Sequence, residues 1–262
     1  MRRYFAVISS GAVISIKKIK AYNLEFLMMA VHFLFSIAFV FLFWRAILDN
    51  FEFPGYWSSG ELYFYAAVVL LADGVNEIFF PYRILPYSIV NGDLNKYLIR
   101  PISPLLLFFV DNINILAVLE QLVISVIAIV IIVISQGIAV SAPMFLVALL
   151  LIICGTISYQ LIYAAFSLLS FWFGDIGFLR ELVFGVNDLK RYPLDIFAAW
   201  LRKVLTFILP ISLLAFYPIS IMLGKIELGI TILAIYAAML LASVMIFSIM
   251  WKMGLMRYEA NS

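Results

Sequence analysis

The chain has 262 residues, of which 66% are apolar and 12% are charged. Soluble domains average about 45–50% apolar and ~25% charged residues, so this composition excludes a soluble globular protein and indicates a membrane protein with several spans. The net charge of +2 gives no sign of a nucleic-acid partner, and the single cysteine, Cys154, excludes an intrachain disulfide.

Residues 1–22 are predicted to form an amphipathic helix that lies on the membrane surface. Apolar residues recur in this segment at helical spacing, and five basic residues supply its polar side. Because Lys and Arg are in excess in cytoplasmic segments, this basic start predicts that the N-terminus lies in the cytoplasm.

The sequence predicts an all-α membrane protein with six transmembrane helices, since each apolar segment is about long enough to cross a bilayer. Basic residues gather before the first span, around the loop after the second and behind the last, which predicts that both termini are cytoplasmic. The first span contains the only histidine, His32, and we expect it to be packed or bonded to another helix instead of relaying protons. The predicted spans are 24–48, 60–85, 105–135, 144–173, 175–192 and 228–251.

Span 2 carries Asp73, Asn76 and Glu77 on one face near its middle. Ionisable groups at that depth are costly and normally face the bundle interior or a wet cavity. One interpretation places these three side chains in a translocation path. The other makes them partners of polar groups on a neighbouring helix, with Arg180 as the candidate partner. This structural interpretation is slightly favoured because interhelical polar contacts are common in bundles.

The stretch 84–104 is the one substantial structured loop that the sequence predicts. Asn91-Gly92 signals the end of a helix and a turn. Asp93 is then predicted as the N-cap of a short helix over Leu94–Ile99, which Arg100-Pro101 ends.

The short helix in this loop has an apolar stripe of Leu94, Tyr97 and Leu98 at helical spacing, with Lys96 on the other side. A structured loop of this kind suggests a docking element for a separate, energy-supplying subunit. We expect the stripe to provide apolar anchors and the charged residues to provide the rim of that contact. The predicted docking residues are Gly92, Asp93, Leu94, Lys96, Tyr97, Leu98, Arg100 and Pro101.

The region after span 4 allows two interpretations. In the first, 175–192 is a polar fifth span, and 193–224 forms two short helices that dip into the membrane from outside, with a break at Pro210. Irregular backbone at that depth needs cover from protein or a wet cavity. In the second, 175–203 stays cytoplasmic and 204–223 is the fifth span, which the position of the basic residues favours.

Catalytic and nucleotide-binding motifs are missing from the sequence. There is no G-x-x-x-x-G-K-[ST] phosphate loop, no H-E-x-x-H and no G-x-S-x-G. One histidine and one cysteine cannot supply the usual nucleophile–base pairs or a metal-ligand cluster. The sequence therefore predicts transport or scaffolding, with no catalytic residue and no metal site.

The loop after span 2 also carries a recognisable pattern. It reads I-x-x-G-x-L-x-x-x-L-x-R-P, which the chain matches at Ile89, Gly92, Leu94, Leu98, Arg100 and Pro101. A second group of matches lies before the last span, at Arg191-Tyr-Pro-Leu, Trp200-Leu-Arg and Leu209-Pro210. Together with the surface helix and the six spans, these motifs resemble the type-2 permeases of ATP-binding-cassette (ABC) exporters, in particular a bacterial branch of transport-system permeases.

The resemblance implies a permease subunit of an ABC exporter in the bacterial inner (cell) membrane. Such permeases have no ATP site of their own and pair with a separate ABC ATPase, which binds ATP and Mg²⁺, so no cofactor is expected in this chain. They act as homodimers or as heterodimers with a related permease. The resemblance makes the short helix after span 2 the coupling helix and makes the helix at 1–22 a further ATPase contact.

Members of the family that this chain resembles carry two external re-entrant helices between spans 5 and 6. The resemblance therefore favours 175–192 as the fifth span and 193–224 as the re-entrant segment. The alternative function is an ion- or proton-coupled secondary transporter that uses Asp73 and Glu77 and needs no ATPase, although no inverted repeat is visible. An intramembrane enzyme acting on lipid is a third hypothesis without a motif behind it.

Overall fold

The structure is a computed structural model that describes residues 23–50, 57–79 and 81–258. The predicted surface helix at 1–22 lies outside the described residues. Every secondary-structure element in the described ranges is helical. The α-helices are α1 Asn23–Asn50, α2 Ser59–Glu77, α3 Pro81–Val90, α4 Asn95–Leu98, α5 Pro104–Asn112, α6 Ile115–Gln136, α7 Ala142–Ser167, α8 Ser170–Phe173, α9 Gly177–Val186, α10 Ala199–Phe207, α11 Phe216–Met222 and α12 Ile230–Arg257. Three 3-10 turns lie at Asn187–Arg191, Leu194–Ile196 and Ile211–Leu213.

Within the described residues, four helical stretches are long and apolar enough to cross a membrane. They overlap the segments predicted as spans 2, 3, 4 and 6, and they are Ser59–Val90, Ile115–Gln136, Ala142–Phe173 and Ile230–Arg257. A fifth candidate is the pair Ala199–Phe207 and Ile211–Met222, which is bent by 75° and so forms either a broken span or a re-entrant loop. Helix α1 has 28 residues and includes the whole segment predicted as the first span.

Helix α2 is the centre of the bundle. Leu62, Ala67 and Val68 point in different directions around it, and all three are fully buried. A helix that is apolar and buried all round belongs to a protein interior, and α2 packs mainly along α6 and also against α1 and α7. Its start is fixed by a capping box, in which the Ser58 backbone N–H donates to Glu61 Oε2 (2.6 Å) and the Glu61 N–H donates to Ser58 Oγ (3.3 Å).

The predicted third span is two helices. Helix α5 ends at Asn112 and α6 begins at Ile115. Asn114 caps the second helix, because its side-chain oxygen accepts a hydrogen bond from the Ala117 backbone N–H (3.2 Å). The segment predicted as one continuous span thus contains a second helix start, capped by Asn114, that the sequence analysis missed.

The bundle has two ends, which serve as reference points. The loop end carries the connection 91–103, and the turn end carries the connection 137–141 between α6 and α7. Helix α2 begins at the turn end, since a Cβ at Gly60 would lie 3.2 Å from Gln136 Oε1. Helix α12 finishes at the loop end, where Trp251 and Tyr258 pack on Phe171.

The segment predicted as a continuous fifth span, 175–192, is a helix of ten residues followed by a 3-10 turn. Two tyrosine hydroxyl groups hold it along the bundle. Tyr159 Oη donates to the Val183 carbonyl (3.2 Å) and Tyr65 Oη to the Lys190 carbonyl (3.1 Å). These hydroxyl groups satisfy carbonyls that a longer α-helix would have paired internally, so irregular backbone is tolerated there. Farther along, Trp57 Nε1 donates to Asp195 Oδ2 (3.0 Å), next to the start of α2 at the turn end.

The residues that follow, 199–224, run to the middle of α7 and then return to the turn end of the bundle. The α10 helix stops before Pro210, and the Leu213 carbonyl lies so close to Gly155 in the middle of α7 that a Cβ there would overlap it. Tyr236 Oη donates to the same carbonyl (2.7 Å). The segment ends where Lys225 Nζ pairs with Glu61 Oε1 (3.0 Å) at the turn end. The break therefore lies at the predicted proline.

Candidate functional site

The loop between α3 and α5 is the first candidate site. Helix α3 ends at Val90, and Gly92 takes a positive φ of 77°, as the Asn-Gly signal predicted. The Leu94 N–H then donates to the Ser88 carbonyl (3.0 Å). The predicted cap is wrong: Leu94, not Asp93, occupies the N-cap position of α4, and it makes no side-chain cap hydrogen bond.

One side of the short α4 helix is built into this chain. Leu94 and Tyr97 are buried, and Asn112 Nδ2 donates to Tyr97 Oη (3.3 Å). The expectation that these two side chains face a partner is therefore wrong, because both are packed against other residues of this chain. Their buried neighbours come from α3, α5, α7, α8 and α12 and are Leu85, Ile89, Leu107, Phe108, Ala164, Leu168, Phe171 and Phe247.

The other side of the loop is exposed, and it carries a residue that the sequence analysis left out of the site. Ile99 is 83% exposed at the tip of the loop. Its only sequence signal is that it lies off the apolar stripe of Leu94 and Tyr97. The remaining exposed side chains are charged, polar or proline, namely Asn91, Asp93, Asn95, Lys96, Arg100, Pro101 and Ser103. An apolar tip with a polar rim is the usual layout of a binding patch.

The end of α12 lies beside this loop. Burial raises the pKa of the Tyr258 hydroxyl above its usual value, and the nearby carboxylate of Asp93 raises it further. A cavity of about 640 Å³ adjoins this point and is lined by α3, α8 and the end of α12. The loop end of the bundle thus presents both an exposed tip and a concave surface.

The second candidate site is a polar chamber of about 340 Å³ inside the bundle. Asp73, Asn76 and Glu77 all line it. The facing walls come from α1, α3, α6, α9 and the 3-10 turn at Asn187–Arg191, with His32, Arg83, Ala117, Glu120, Gln121, Phe184, Asn187, Asp188 and Arg191.

The acidic residues of this chamber have basic partners, as the structural interpretation expected. Lys190 Nζ lies 2.6 Å from Asp73 Oδ1, and the Lys190 side chain is only 1% exposed. Arg83 Nη1 lies 3.8 Å from Glu77 Oε2. The side chain of Arg180, the expected partner, lies outside the described part of the chain. Lys190 and Arg83 are the partners that the structure describes.

Further polar contacts tie the chamber walls together. Gln160 Nε2 donates to Asn76 Oδ1, and both residues are buried. His32 Nδ1 lies 2.8 Å from Glu120 Oε1, which confirms the expected interhelical bond of the lone histidine. The same side chains therefore pair with their neighbours and line a cavity, and their place in a translocation path stays a prediction.

An aromatic compartment of about 270 Å³ adjoins the chamber. It is lined by Phe39, Phe43 and Trp44 of α1, by the face of α2 nearer the turn end, and by Tyr192. The two cavities share four lining residues, which are His32, Asp73, Gln121 and Arg191. The interior therefore offers a polar and an apolar space in direct contact.

A family model described as an ABC-2 family transporter protein matches residues 34–262. The chain belongs to the ABC-2 transporter family. The resemblance to type-2 ABC permeases is thereby confirmed, and the ABC-2 chain is a transmembrane transporter component with several helices long and apolar enough to cross a membrane, not itself a catalytic enzyme. No curated protein and no solved structure matches the chain.

Proposed function

We propose that this ABC-2 chain is the permease subunit of an ATP-driven exporter, and that a separate ABC ATPase binds the exposed side of the 84–104 loop. The family generally works with an ABC ATPase. The observation that carries the docking proposal is the two-sided loop, with Ile99 exposed and Leu94 and Tyr97 locked into the core. ATP and Mg²⁺ bind to the ATPase, and this chain supplies the path.

The buried side of the loop is what would transmit the motion. A well-packed cluster moves as a body because side chains in a core cannot slide past one another at low cost. Pushing α4 therefore pushes α3, whose Leu85 and Ile89 belong to the same cluster. Arg83 lies on α3 as well and pairs with Glu77. The movement that the ATPase imposes on α4 thus reaches the polar chamber through α3.

The membrane topology that we propose has six crossings, with the loop end and both termini in the cytoplasm of a bacterial cell. Contacts of 174–195 support the fifth crossing, since Gly174 lines a cavity with Arg257 at the loop end and Asp195 binds Trp57 at the turn end. Segment 199–224 is then the external re-entrant segment. A second copy or a related permease completes the assembly, and the polar chamber belongs to the translocation path.

The ion-coupled alternative has less support. A proton-coupled carrier needs carboxylates that exchange protons during the cycle. Asp73 and Glu77 instead form ion pairs with Lys190 and Arg83. Transport that stops on ATP depletion and continues without a proton gradient supports the ABC mechanism, and the reverse result supports the alternative.

The docking proposal is tested by Ile99→Asp, with Ile230→Asp as a matched control. Ile230 is 85% exposed at the start of α12, at the opposite end of the bundle. Burying an isoleucine side chain is worth about 1.5–3 kcal/mol, so replacing it with a charge should weaken ATPase binding by at least tenfold. Co-purification with an ABC ATPase that forms a complex with the native permease measures the effect.

Ile99→Asp should lose the ATPase and Ile230→Asp should keep it, while both variants remain in the membrane and elute as the native protein does. If Ile99→Asp holds the ATPase at the native ratio, the loop is not the dock. If both variants lose it equally, the loss is not specific to the loop, and the proposal fails in the same way.

A further inference from the structure

The two adjoining cavities together have the form of a site for a molecule with a polar head and an apolar chain. One compartment is polar on nearly all of its walls and the other is lined mainly by aromatic and aliphatic side chains. Asp73 and Arg191 line both, so charged groups of each sign lie at the junction. The polar compartment, at about 340 Å³, has a volume at the lower end of the range for small-molecule sites, about 300–1,000 Å³.

The polar compartment holds charges of both signs in close pairs. Each of its four carboxylates lies within 4.0 Å of a basic side chain. The pairs are Asp73 with Lys190, Glu77 with Arg83, Glu120 with His32 and Asp188 with Arg191. A ligand with one charge would compete for one member of a pair and leave the other without a counter-charge, which is costly away from bulk water.

A ligand that carries both charges avoids this cost. Its anionic group can take the place of a carboxylate at an arginine, and its cationic group can take the place of the arginine at the released carboxylate. The exposed pair of Arg191 and Asp188 (3.0 Å) is the easiest of the four to exchange, because both side chains are more than half exposed. Arg191 is also the arginine that reaches the junction with the aromatic compartment.

The aromatic compartment extends to the outer face of the bundle. Phe39 lines it and is 60% exposed, and Phe35 and Leu42 continue the same exposed face of α1. Trp44, at the inner side, is almost fully buried. An alkyl chain could therefore enter past Phe39 from the hydrocarbon region of a bilayer without crossing a polar surface.

We propose that these two compartments form a binding site for a zwitterionic amphiphile, with its phosphate and ammonium groups in the polar compartment and its alkyl chain in the aromatic one. The phosphate binds at Arg191, since guanidinium groups bind phosphate oxygens with two parallel hydrogen bonds. The ammonium group binds at Asp188, the carboxylate that Arg191 releases. Naming this amphiphile as the cargo rests on the proposed permease function, but the binding itself does not.

In the test, the fluorescence of Trp44 reports whether the alkyl chain enters the aromatic compartment. The purified full-length permease in a maltoside micelle, without ATPase, is titrated with three dodecyl amphiphiles that carry bromine on the chain, since bromine quenches nearby tryptophan fluorescence. The head groups are phosphocholine (zwitterionic), trimethylammonium (cationic) and phosphate (anionic). The difference between the native protein and Trp44→Phe isolates the quenching of Trp44 from that of the other four tryptophans.

The zwitterion should saturate the Trp44 signal at a concentration at least tenfold lower than the cation or the anion. Arg191→Gln should raise that concentration by about tenfold, because a hydrogen bond to a charged group is lost. The control Arg202→Gln removes an exposed arginine that lines neither compartment and should leave it unchanged. Free phosphocholine, which has no chain, should compete only weakly.

Three results would overturn the proposal. Equal half-saturation for all three head groups would mean that the chain alone determines binding. Equal quenching in Trp44→Phe would mean that the chain does not enter the aromatic compartment. An unchanged half-saturation concentration in Arg191→Gln would mean that the head group does not bind at Arg191. Because no ATPase is present, Ile99→Asp should still bind the zwitterion, so loss of docking and loss of ligand binding are separable.

Discussion

The pair of Asp73 and Lys190 gives the sharpest prediction about the interior. Replacing Asp73 with Asn keeps the size of the side chain but removes the charge that faces Lys190 at 2.6 Å. The Lys190 side chain is 1% exposed, so water cannot take over the role of the carboxylate. The reverse substitution, Lys190→Met, leaves Asp73 without a partner, but Asp73 is 28% exposed to the chamber and can be hydrated.

The magnitude follows from this difference in exposure. Removing one partner of a buried ion pair typically costs about 3–5 kcal/mol, and Asp73→Asn should reach the lower end because the chamber is partly wet. At about 2–4 °C of melting temperature per kcal/mol for a chain of this size, the expected loss is about 6–12 °C. Lys190→Met should lose less. The double variant should lie within about 1–2 kcal/mol of the native protein, because replacing a whole buried pair is often nearly neutral.

The assay is thermal unfolding in maltoside micelles, followed by tryptophan fluorescence and checked by size-exclusion elution. Asp188→Asn is the matched control, since its pair with Arg191 is exposed and should contribute less than about 1 kcal/mol. The reasoning is refuted if Asp73→Asn melts as the native protein does. It is also refuted if the losses of the two single variants add up in the double variant, because additivity would mean that the residues do not interact.

Two further predictions concern packing. Gly155→Ala places a Cβ against the Leu213 carbonyl and should cost about 1–3 kcal/mol in the same melting assay, whereas Gly185→Ala meets nothing within 4 Å and should be neutral or slightly stabilising; equal losses would contradict the close approach. Leu94→Ala should cost about 2–5 kcal/mol because Leu94 is fully buried, while Ile99→Ala should melt within about 0.5 kcal/mol of the native protein; a large loss in Ile99→Ala would mean that Ile99 is part of the core.

Local sequence signals predicted correctly where the loop begins and ends, but not which of its side chains face the core. Asn91-Gly92 and the following proline act through their own backbone preferences, so the end of α3 and the break before α5 could be read from sequence. Which way an apolar stripe faces is a different matter. Leu94 and Tyr97 have helical spacing whether they meet a partner protein or their own chain, and only the packing of α5 and α12 decides between the two.

The chamber could be predicted only in part for a similar reason. The depth of Asp73 and Glu77 in an apolar span already implied partners or a cavity. The identity of those partners depends on how 174–195 lies along α2, and that path is set by hydroxyl groups of Tyr65 and Tyr159 binding distant carbonyls. Such contacts leave no periodic signal in the sequence. The sequence therefore places Lys190 in a polar segment but does not mark it as the partner of Asp73.

The connection between the two candidate sites is short enough to constrain the mechanism. Arg83 and Leu85 lie two positions apart on α3; the first pairs with Glu77 in the chamber and the second packs in the cluster that holds the loop. The pair with Arg83 is also long, at 3.8 Å, compared with 2.6 Å for Asp73 and Lys190. A displacement of α3 would therefore separate Arg83 from Glu77 more easily than it would separate the buried pair. In this arrangement the Arg83 side of the chamber can open while Lys190 keeps 174–195 attached to α2, which is what a rigid coupling through one helix requires.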